Sequence, residues 1–472
     1  MKEKLLRSLP KVDILLKDKD LQNIKESVDY YTFLWCIKKV LGNFRENIKN
    51  SSDKDLEKLS DNLLASIKKS IIELIQKEKR KRFQKVFNGT GTIIHTNLGR
   101  SVFSKKIAKD ISDILSSYTN LEYNIERGER GSRYENLEKL ICKVTQCEGA
   151  LVVNNNAGAV LLTLNEFSQG KNAIISRGEL VEIGGSFRVP EIIKFSGAKL
   201  LEVGTTNRTH LEDYESAIDE TSGVLLKVHT SNYKIKGFTK DVPLGDLVEL
   251  GKKKNLLVIE DLGSGNLIEF TKYGVIQEPT IKKSLECGAS LVMFSGDKLL
   301  GGCQAGIIVG KKHLIDRLKK NQFLRTIRVD KITIAILENI FRAYLDEKEA
   351  VKNIPTLRMI TEDIKEVEER ANKLSKLLNN KNISHSVIPT KATIGGGSMP
   401  EEEIESFGVE FKRDISPNRL EEYFRKNPLS IIGRIEKNRF FIDMKTIFDN
   451  DIEELSENIE RVFLERGIKW KI

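Results

Sequence analysis

Between residues 137 and 310, short apolar runs alternate with segments of helical periodicity, and this alternation constrains the fold more than any other feature of the chain. Strands that are separated by helices pack as a mostly parallel sheet with helices over its faces. The sequence therefore predicts an α/β domain with a mostly parallel sheet. The predicted strands lie at residues 150–154, 173–176, 199–203, 223–229, 256–260, 290–294 and 305–309.

The region before this domain has a different pattern. Apolar residues such as Ile67, Ile71 and Leu74 recur at steps of three and four, and proline is absent from residue 11 to residue 82. This spacing is typical of amphipathic helices. We therefore predict a compact helical N-terminal domain at residues 1–82.

The region after the sheet is predicted to be helical from about residue 312 to 380. Residues 381–472 then mix short strands and helices, with strand candidates at 385–388 and 439–442. We predict three domains in total. They are a helical domain at 1–82, a large domain at 83–340 with a linker at 83–100, and a small α+β domain at 341–472.

Positive charge is concentrated near the N-terminus. Residues 1–85 contain 21 Lys and Arg against 13 Asp and Glu, an excess of eight charges out of +10 for the whole chain. A polyanion partner and a set of solvated Lys-rich helices fit this excess equally well. The densest run, at residues 77–82, is also compatible with a charged linker.

Other broad classes of protein are not favoured. The five cysteines are scattered, and Cys142 and Cys147 have no partner histidines, so we predict neither a disulfide framework nor a bound metal. The longest apolar runs are far shorter than a membrane span, and the N-terminus lacks the pattern of a cleaved signal. We expect a cytoplasmic protein.

The segment S-G-D-K-L-L-G-G at residues 295–302 predicts a chemical role for Lys298. It follows the apolar run 291–294 and ends in a glycine pair. A lysine at a strand end, partly desolvated, loses its proton more easily and attacks an aldehyde, while glycines let a cofactor approach the backbone. Pyridoxal 5′-phosphate is therefore the predicted cofactor. A surface lysine is the simpler interpretation of this segment taken alone.

Two upstream segments support the cofactor prediction. The apolar run 257–260 leads to Asp261 and a glycine turn, and a carboxylate there can pair with a pyridinium nitrogen. Residues 150–159 have the pattern of a strand, a tight turn and a helix start. We expect backbone N–H groups at Asn156, Ala157 and Gly158 to hold the 5′-phosphate.

Seven motifs taken together carry a family resemblance. They are N-G-T-G-T-I-I-H-T-N-L-G-R (88–100), E-R-G-E-R-G-S-R-Y (126–134), V-N-N-N-A-G-A-V (153–160), R-G-E-L-V-E-I-G-G-S-F-R-V-P (177–190), E-V-G-T-T-N-R-T (202–209), S-G-D-K-L-L-G-G (295–302) and F-L-R-T-I-R-V-D-K (323–331). The chain resembles the bacterial selenocysteine synthases, L-seryl-tRNA(Sec) selenium transferases, from its N-terminal helices to its end. As a set the motifs are highly specific.

The resemblance implies a type I, aspartate-aminotransferase-like fold and a homo-oligomer, a decamer built as a pentamer of dimers. It also implies that residues 1–82 bind seryl-tRNA(Sec), that selenophosphate donates selenium, and that the product is selenocysteinyl-tRNA(Sec). The family usually has proline at the position of Cys303. We interpret this cysteine as a spectator, with a reactive thiol or a slight change of the loop as alternatives.

The same resemblance implies roles for individual residues. Lys298 would remove the Cα proton of the seryl group, and Asp261 would keep the cofactor ring protonated. The selenophosphate anion requires groups that make charge-assisted hydrogen bonds. The implied set is Arg100, Arg325 and Arg328, with hydroxyls from Thr205 and Thr206 and assistance from Asp297.

Several assignments stay open in the sequence. His95 and His229 are candidates for contact with the cofactor or the leaving hydroxyl, although a structural role for at least one is the simpler interpretation. The loop residues Glu179 and Glu182 are similarly ambiguous. If Arg434 reaches the cofactor, a substrate with a free α-carboxylate becomes credible, and if it points elsewhere, a seryl ester is favoured.

Two other functions remain as alternatives. One is a lyase or racemase-like enzyme of the same fold that acts on a small amino acid or amino sugar. The other is an RNA-binding protein whose cofactor site is vestigial.

Overall fold

A computed structural model describes residues 2–51, 62–79, 81–183, 187–233, 235–395, 398–399, 402–411 and 415–465. Parts of several predictions lie outside these residues. They are residues 1, 52–61 and 80 of the predicted N-terminal domain, the last of which is also in the basic run, residues 184–186 of the motif at 177–190 and residue 234 in the predicted large domain, and residues 396–397, 400–401, 412–414 and 466–472 of the predicted small domain. The chain divides into two compact units, Met1–Lys85 and Val86–Ile472.

The first unit is helical, as predicted. Its apolar faces form one core that includes Leu15, Phe33, Ile37 and Ile67, all fully buried or nearly so. Asp18 caps a helix because its carboxylate accepts from two backbone N–H groups, which would otherwise lack partners. The described helices are Lys2–Ser8, Val12–Leu16, Lys19–Lys25, Tyr30–Asn50 and Leu63–Lys79.

The second unit is built on a seven-stranded sheet, and all seven predicted runs are its strands. The strands are β1 (Gly149–Val153), β2 (Asn172–Ser176), β3 (Lys199–Val203), β4 (Ser222–Val228), β5 (Leu257–Gly263), β6 (Leu291–Ser295) and β7 (Gly306–Gly310). Their order in the sheet is β1-β7-β6-β5-β4-β2-β3. β7 pairs antiparallel with both of its neighbours, and every other pair is parallel.

This topology fixes where polar residues converge. Six of the seven strands point the same way, so their carboxyl ends lie along one edge of the sheet, where ligands bind in open α/β sheets. Every residue of β1, β6 and β7 is buried, as expected for strands that are covered on both faces. The residues that follow β1, β4, β5 and β6 therefore meet at a common edge.

Helices and short strand pairs surround this sheet. The helix Asn156–Ser168 packs against five of its strands. The predicted helical stretch from 312 to 380 is divided into several helices, two of which have Asp330 and Asp363 as N-caps. The helices are Lys105–Leu115, Glu135–Thr145, Asn156–Ser168, Val189–Phe195, Leu211–Ala217, Leu244–Lys254, Ile281–Glu286, Lys312–Leu318, Lys331–Ala343, Glu347–Asn353 and Pro355–Thr361. The next helix, Ile364–Asn380, packs instead against the strands His385–Thr393 and Glu403–Phe411. The short pairs are Tyr123–Asn124 with Glu129–Arg130 and Glu182–Ile183 with Phe187–Arg188.

A smaller antiparallel sheet follows in the chain. Its strands are β8 (His385–Thr393), β9 (Glu403–Phe411), β10 (Arg434–Glu436) and β11 (Arg439–Asp443), in the order β8-β9-β11-β10. The helices Pro417–Arg425 and Ile452–Glu465 belong to the same region. A cluster of phenylalanine rings, with centroids 5.0 to 6.2 Å apart, fills its core. Both predicted strand candidates are present, while the threefold domain division stays a prediction.

Residues 87–100 connect the two sheets. Phe87–Asn88 pairs in parallel with Ile431–Ile432, and the N–H groups of Ile93 and Ile94 donate to the backbone next to the end of β8. The chain then turns sharply, because Gly99 and Arg100 have φ values of 93° and 59°. This turn carries Arg100 to the edge of the large sheet. Among the described helices of both units, none is long and apolar enough to cross a lipid bilayer.

Candidate active site

A cavity of about 240 Å³ lies at the carboxyl edge of the large sheet. It brings together six of the predicted site residues, which the sequence places up to 198 positions apart. These six are Arg100, Asn156, Ala157, Asp261, Asp297 and Lys298. Asn155, Ser295, Gln304 and Ala305 complete the lining.

The loop after β6 holds Lys298 in this cavity. The N–H of Gly296 donates to Ala305, and the N–H of Gly301 donates 2.9 Å to the Lys298 carbonyl, so the loop folds back on itself. Gly301 has φ +74°, and a Cβ there would lie 2.2 Å from a methyl carbon of Ile354. Glycine is therefore required at position 301. The glycines at positions 296 and 301 thus serve the packing of the loop.

Burial changes the acid–base behaviour of Lys298. Only 4% of the residue is exposed, and this desolvation lowers the pKa of its amine. The positive charge of Arg100 lowers this pKa further, whereas the negative charge of Asp261 raises it. More of the amine is therefore neutral near neutral pH than in an exposed lysine.

Asp261 lies on β5 beside this lysine. A Cβ built on Gly263 would be 3.9 Å from both Asp261 Oδ1 and Lys298 Nζ, so the two groups face the same small space. Burial raises the pKa of the Asp261 carboxyl, whereas a hydrogen bond from Asn156 and the charge of Lys298 lower it. The Asn156 Nδ2 donates 2.8 Å to Asp261 Oδ1.

The helix start after β1 is arranged differently from the prediction. The N–H of Gly158 donates 2.8 Å to Asn155 Oδ1, so this donor is used by the helix cap. Asn156 and Ala157 line the cavity, whereas Gly158 does not line it. The buried Oδ1 of Asn156 has no hydrogen-bond partner among the described residues. The side chain of Asn156 thus orients Asp261 and leaves one acceptor for a ligand.

Arg100 and Asp297, which both line the cavity, form an ion pair with Nη1 2.7 Å from Oδ2. The neighbouring Ser101, which the sequence did not identify, donates its hydroxyl to the carbonyls of Asp297 and Lys298 at 2.8 and 3.0 Å. The segment that is hydrogen-bonded to the end of β8 therefore also holds the lysine loop directly. The only sequence signal for Ser101 is its position directly after Arg100. Serine is too common a residue for that position to predict a contact with the lysine loop.

Arg325 and Arg328 lie outside this cavity. Arg325 ends the 3-10 helix Gln322–Arg325, while Arg328 forms a β-bridge with Val153, so the two do not share a helix face. The Ile327 carbonyl accepts from the N–H of Asn154, immediately before the residues that line the cavity. Both arginines are exposed, and Arg328 Nη1 is 3.5 Å from a Glu122 oxygen.

Thr205 and Thr206 are not brought to Lys298 either. They line a second cavity of about 200 Å³, together with His229 and the buried Glu179. Glu179 accepts a hydrogen bond of 2.7 Å from Lys227 Nζ. This charged partner offsets the cost of burying the Glu179 carboxylate. His229 borders this second cavity, and its backbone N–H donates to the Asp261 carbonyl.

Both candidate histidines have structural partners. His229 Nε2 is 3.0 Å from Glu278 Oε1. His95 Nδ1 accepts from the N–H of Asn97, and burial lowers its pKa. Glu278 was missed by the sequence analysis because it follows no strand of the sheet and has no recognisable local motif.

Arg434 does not line the Lys298 cavity. It lies over the Phe441 ring, with Nη2 3.6 Å from Asp443 Oδ2, and lines a separate cavity on the small sheet. Cys303 is partly buried, and burial raises the pKa of its thiol to about 12. A thiol with this pKa is a poor nucleophile at neutral pH, as expected for a spectator.

Comparisons with known proteins agree with this fold. Residues 86–448 match the family model described as SelA: L-seryl-tRNA selenium transferase. L-seryl-tRNA(Sec) selenium transferases of Clostridium botulinum (strain Okra / Type B1) and Clostridium perfringens (strain 13 / Type A) are 46% and 47% identical over 465 and 466 residues, covering 98% of this chain and 99% of each relative. A solved D-glucosaminate-6-phosphate ammonia-lyase is 17% identical, with a TM-score of 0.58, over 82% of this chain and 97% of that one. The predicted aspartate-aminotransferase-like α/β fold is confirmed.

The electrostatics of Lys298 can be tested by its reaction with cyanate, which modifies neutral amines. In the protein without added ligands, we expect Asp261→Asn to shift the pH profile of Lys298 modification to lower pH, because a charge that favours the ammonium is lost. Arg100→Ala should shift it to higher pH, because a charge that opposes the ammonium is lost. Mass spectrometry of peptides, with exposed Lys109 as the internal reference, measures both shifts. Shifts in the opposite directions would contradict the arrangement.

Proposed function

The chain belongs to the L-seryl-tRNA selenium transferase family, and we propose that it converts L-seryl-tRNA(Sec) to L-selenocysteinyl-tRNA(Sec) with selenophosphate as the selenium donor. The observation that carries this proposal is the 46–47% identity to transferases of that name over 98% of the chain. The arrangement around Lys298 fits the chemistry that such a reaction requires.

We propose pyridoxal 5′-phosphate as the cofactor of this site. The residues around Lys298 fit this cofactor, because the buried lysine of lowered pKa and the buried Asp261 carboxylate face the same space. The unpartnered Asn156 Oδ1 and the helix start at Asn156 and Ala157 offer further polar contacts. When bound, this cofactor supplies an aldehyde for covalent attachment and a ring that withdraws electrons from the substrate.

The residues of the chain then have distinct tasks. Lys298 Nζ is the group that takes the proton from the seryl Cα, because its lowered pKa leaves more of the amine neutral. Asp261 supplies the negative charge for the ring nitrogen, and Asn156 holds that carboxylate in place at 2.8 Å. Asp297 holds Arg100 in the cavity lining through their ion pair.

We propose that Arg100, Arg325 and Arg328 bind selenophosphate. Arg100 lines the Lys298 cavity, Arg328 forms the β-bridge with Val153 at the end of β1, and Arg325 lies three residues before it. Guanidinium groups make paired, charge-assisted hydrogen bonds to such anions. Thr205 and Thr206 belong to the same proposal, although within this chain they line the neighbouring cavity.

The position of Arg434 favours an esterified substrate. An enzyme acting on a free amino acid would need a cation for the α-carboxylate, whereas a seryl ester has no such group. Arg434 is engaged by Asp443 and Phe441 and does not line the Lys298 cavity. This observation weighs against the lyase alternative.

We further propose that residues 1–82 bind the tRNA and that the protein is a cytoplasmic homo-oligomer, a decamer built as a pentamer of dimers. The tRNA assignment is supported by the excess of eight positive charges in residues 1–85. The assembly is supported by the family resemblance and by exposed large apolar side chains such as Phe195 and Phe238, at 79% and 78% exposure.

Turnover assays with two tRNAs test the proposed reaction. With selenophosphate and bound cofactor, the full-length protein should convert seryl-tRNA(Sec) and leave seryl-tRNA(Ser) unchanged. Lys298→Ala should reduce this turnover by about 10²- to 10⁴-fold, the usual contribution of a positioned general base. Equal conversion of both tRNAs would contradict the proposed specificity, and undiminished turnover by Lys298→Ala would contradict the role of the lysine.

The selenophosphate assignment predicts a selective defect in Arg325→Ala. Loss of a hydrogen bond to a charged group costs about 1.5–3 kcal/mol, so KM for selenophosphate should rise by about 10- to 100-fold. The visible spectrum of the bound cofactor should not change. Exposed Lys320→Ala is the matched control and should leave this KM as it is. A loss of cofactor binding in Arg325→Ala would show that its role is wrongly assigned.

A further inference from the structure

Two cysteines, Cys142 and Cys147, lie next to each other just before the first strand of the large sheet. Cys142 lies in the last turn of the helix Glu135–Thr145, and Cys147 lies two residues before β1. Gln146 between them adopts a left-handed conformation, with φ 61°, and its N–H donates 2.8 Å to the Cys142 carbonyl. This turn folds the chain back and leaves the two sulfur atoms 3.4 Å apart.

We propose that Cys142 and Cys147 are a dithiol site that closes to a reversible disulfide on reaction with a peroxide. Neither residue lines the Lys298 cavity. The sulfur atoms must approach by about 1.3 Å to reach the disulfide bond length of about 2.05 Å. Both side chains are partly exposed, so a small oxidant can reach them.

The environment favours Cys147 as the first thiol to react. Its hydrogen bond with Cys142 lowers the pKa of Cys147, although burial acts in the opposite direction. The same hydrogen bond raises the pKa of Cys142, and so does its burial. Glu138 and Lys312 are the charged groups that face Cys142, and their effects on it are opposite in sign. Since thiolates are the nucleophiles, this asymmetry separates an attacking thiol from a resolving one.

The reaction balances in two steps. The Cys147 thiolate attacks one peroxide oxygen, so an S–O bond forms, the O–O bond breaks and hydroxide leaves, taking up a proton to become water. The Cys142 sulfur then attacks the Cys147 sulfur, the S–S bond forms, and the hydroxyl leaves with the Cys142 proton as a second water. Two thiols lose two electrons, and one peroxide is reduced to two waters. A dithiol reductant reverses the change.

Peptide mapping tests this site in the full-length protein. Because Lys143 lies between the two cysteines, trypsin separates peptide 140–143 from peptide 144–171 unless a disulfide joins them. The protein is treated with equimolar hydrogen peroxide, its remaining thiols are alkylated, and it is digested with trypsin. We expect the two peptides to be joined by a disulfide and two of the five thiols to be lost. Dithiothreitol should restore both separate peptides and all thiols.

Two variants give this experiment its controls. In Cys142→Ser, Cys147 should accumulate a sulfenic acid that dimedone traps, because the resolving thiol is absent. Cys303→Ser is the matched control and should still form the joined peptide. The proposal is overturned if peroxide leaves peptides 140–143 and 144–171 unlinked in the native sequence. It is also overturned if Cys287 or Cys303 provides the disulfide instead.

Discussion

The structure of the site depends on the burial of one amine and one carboxylate at the ends of adjacent strands. β5 and β6 are hydrogen-bonded neighbours, so Asp261 and the loop that carries Lys298 begin at the same place on the sheet. Both residues are only 4% exposed. In that environment the charge of each group shifts the pKa of the other towards the ionised form. A ligand that brings an aldehyde to the amine and a protonated ring nitrogen to the carboxylate would satisfy both.

The second constraint is the segment that connects the small sheet to this pair. Residues 87–94 pair with the backbone of the small-sheet region, and the left-handed turn at Gly99 and Arg100 then reaches the Lys298 loop. Arg100 binds the Asp297 side chain, and Ser101 binds two backbone carbonyls of the loop. The segment at residues 87–101 therefore supplies both support and charge to the candidate active site.

The sequence was sufficient for the sheet and for the central pair because both depend on local patterns. Seven apolar runs predicted seven strands, and Asp261 and Lys298 each follow such a run. Contacts that depend on tertiary packing could not be predicted in this way. Ser101 and Glu278 gain their partners from distant segments, and the side chain of Asn156 turns to Asp261. The close approach of Cys142 and Cys147 depends on the left-handed Gln146, which spacing alone does not indicate.

The central claim is that the buried amine of Lys298 is the covalent attachment point of pyridoxal 5′-phosphate. Borohydride reduction of the purified protein with its bound cofactor, followed by peptide mass mapping, tests this claim most directly. The account predicts one pyridoxyl group per chain, located on Lys298. A pyridoxyl group on another lysine, or none on a protein that retains the cofactor, would contradict it.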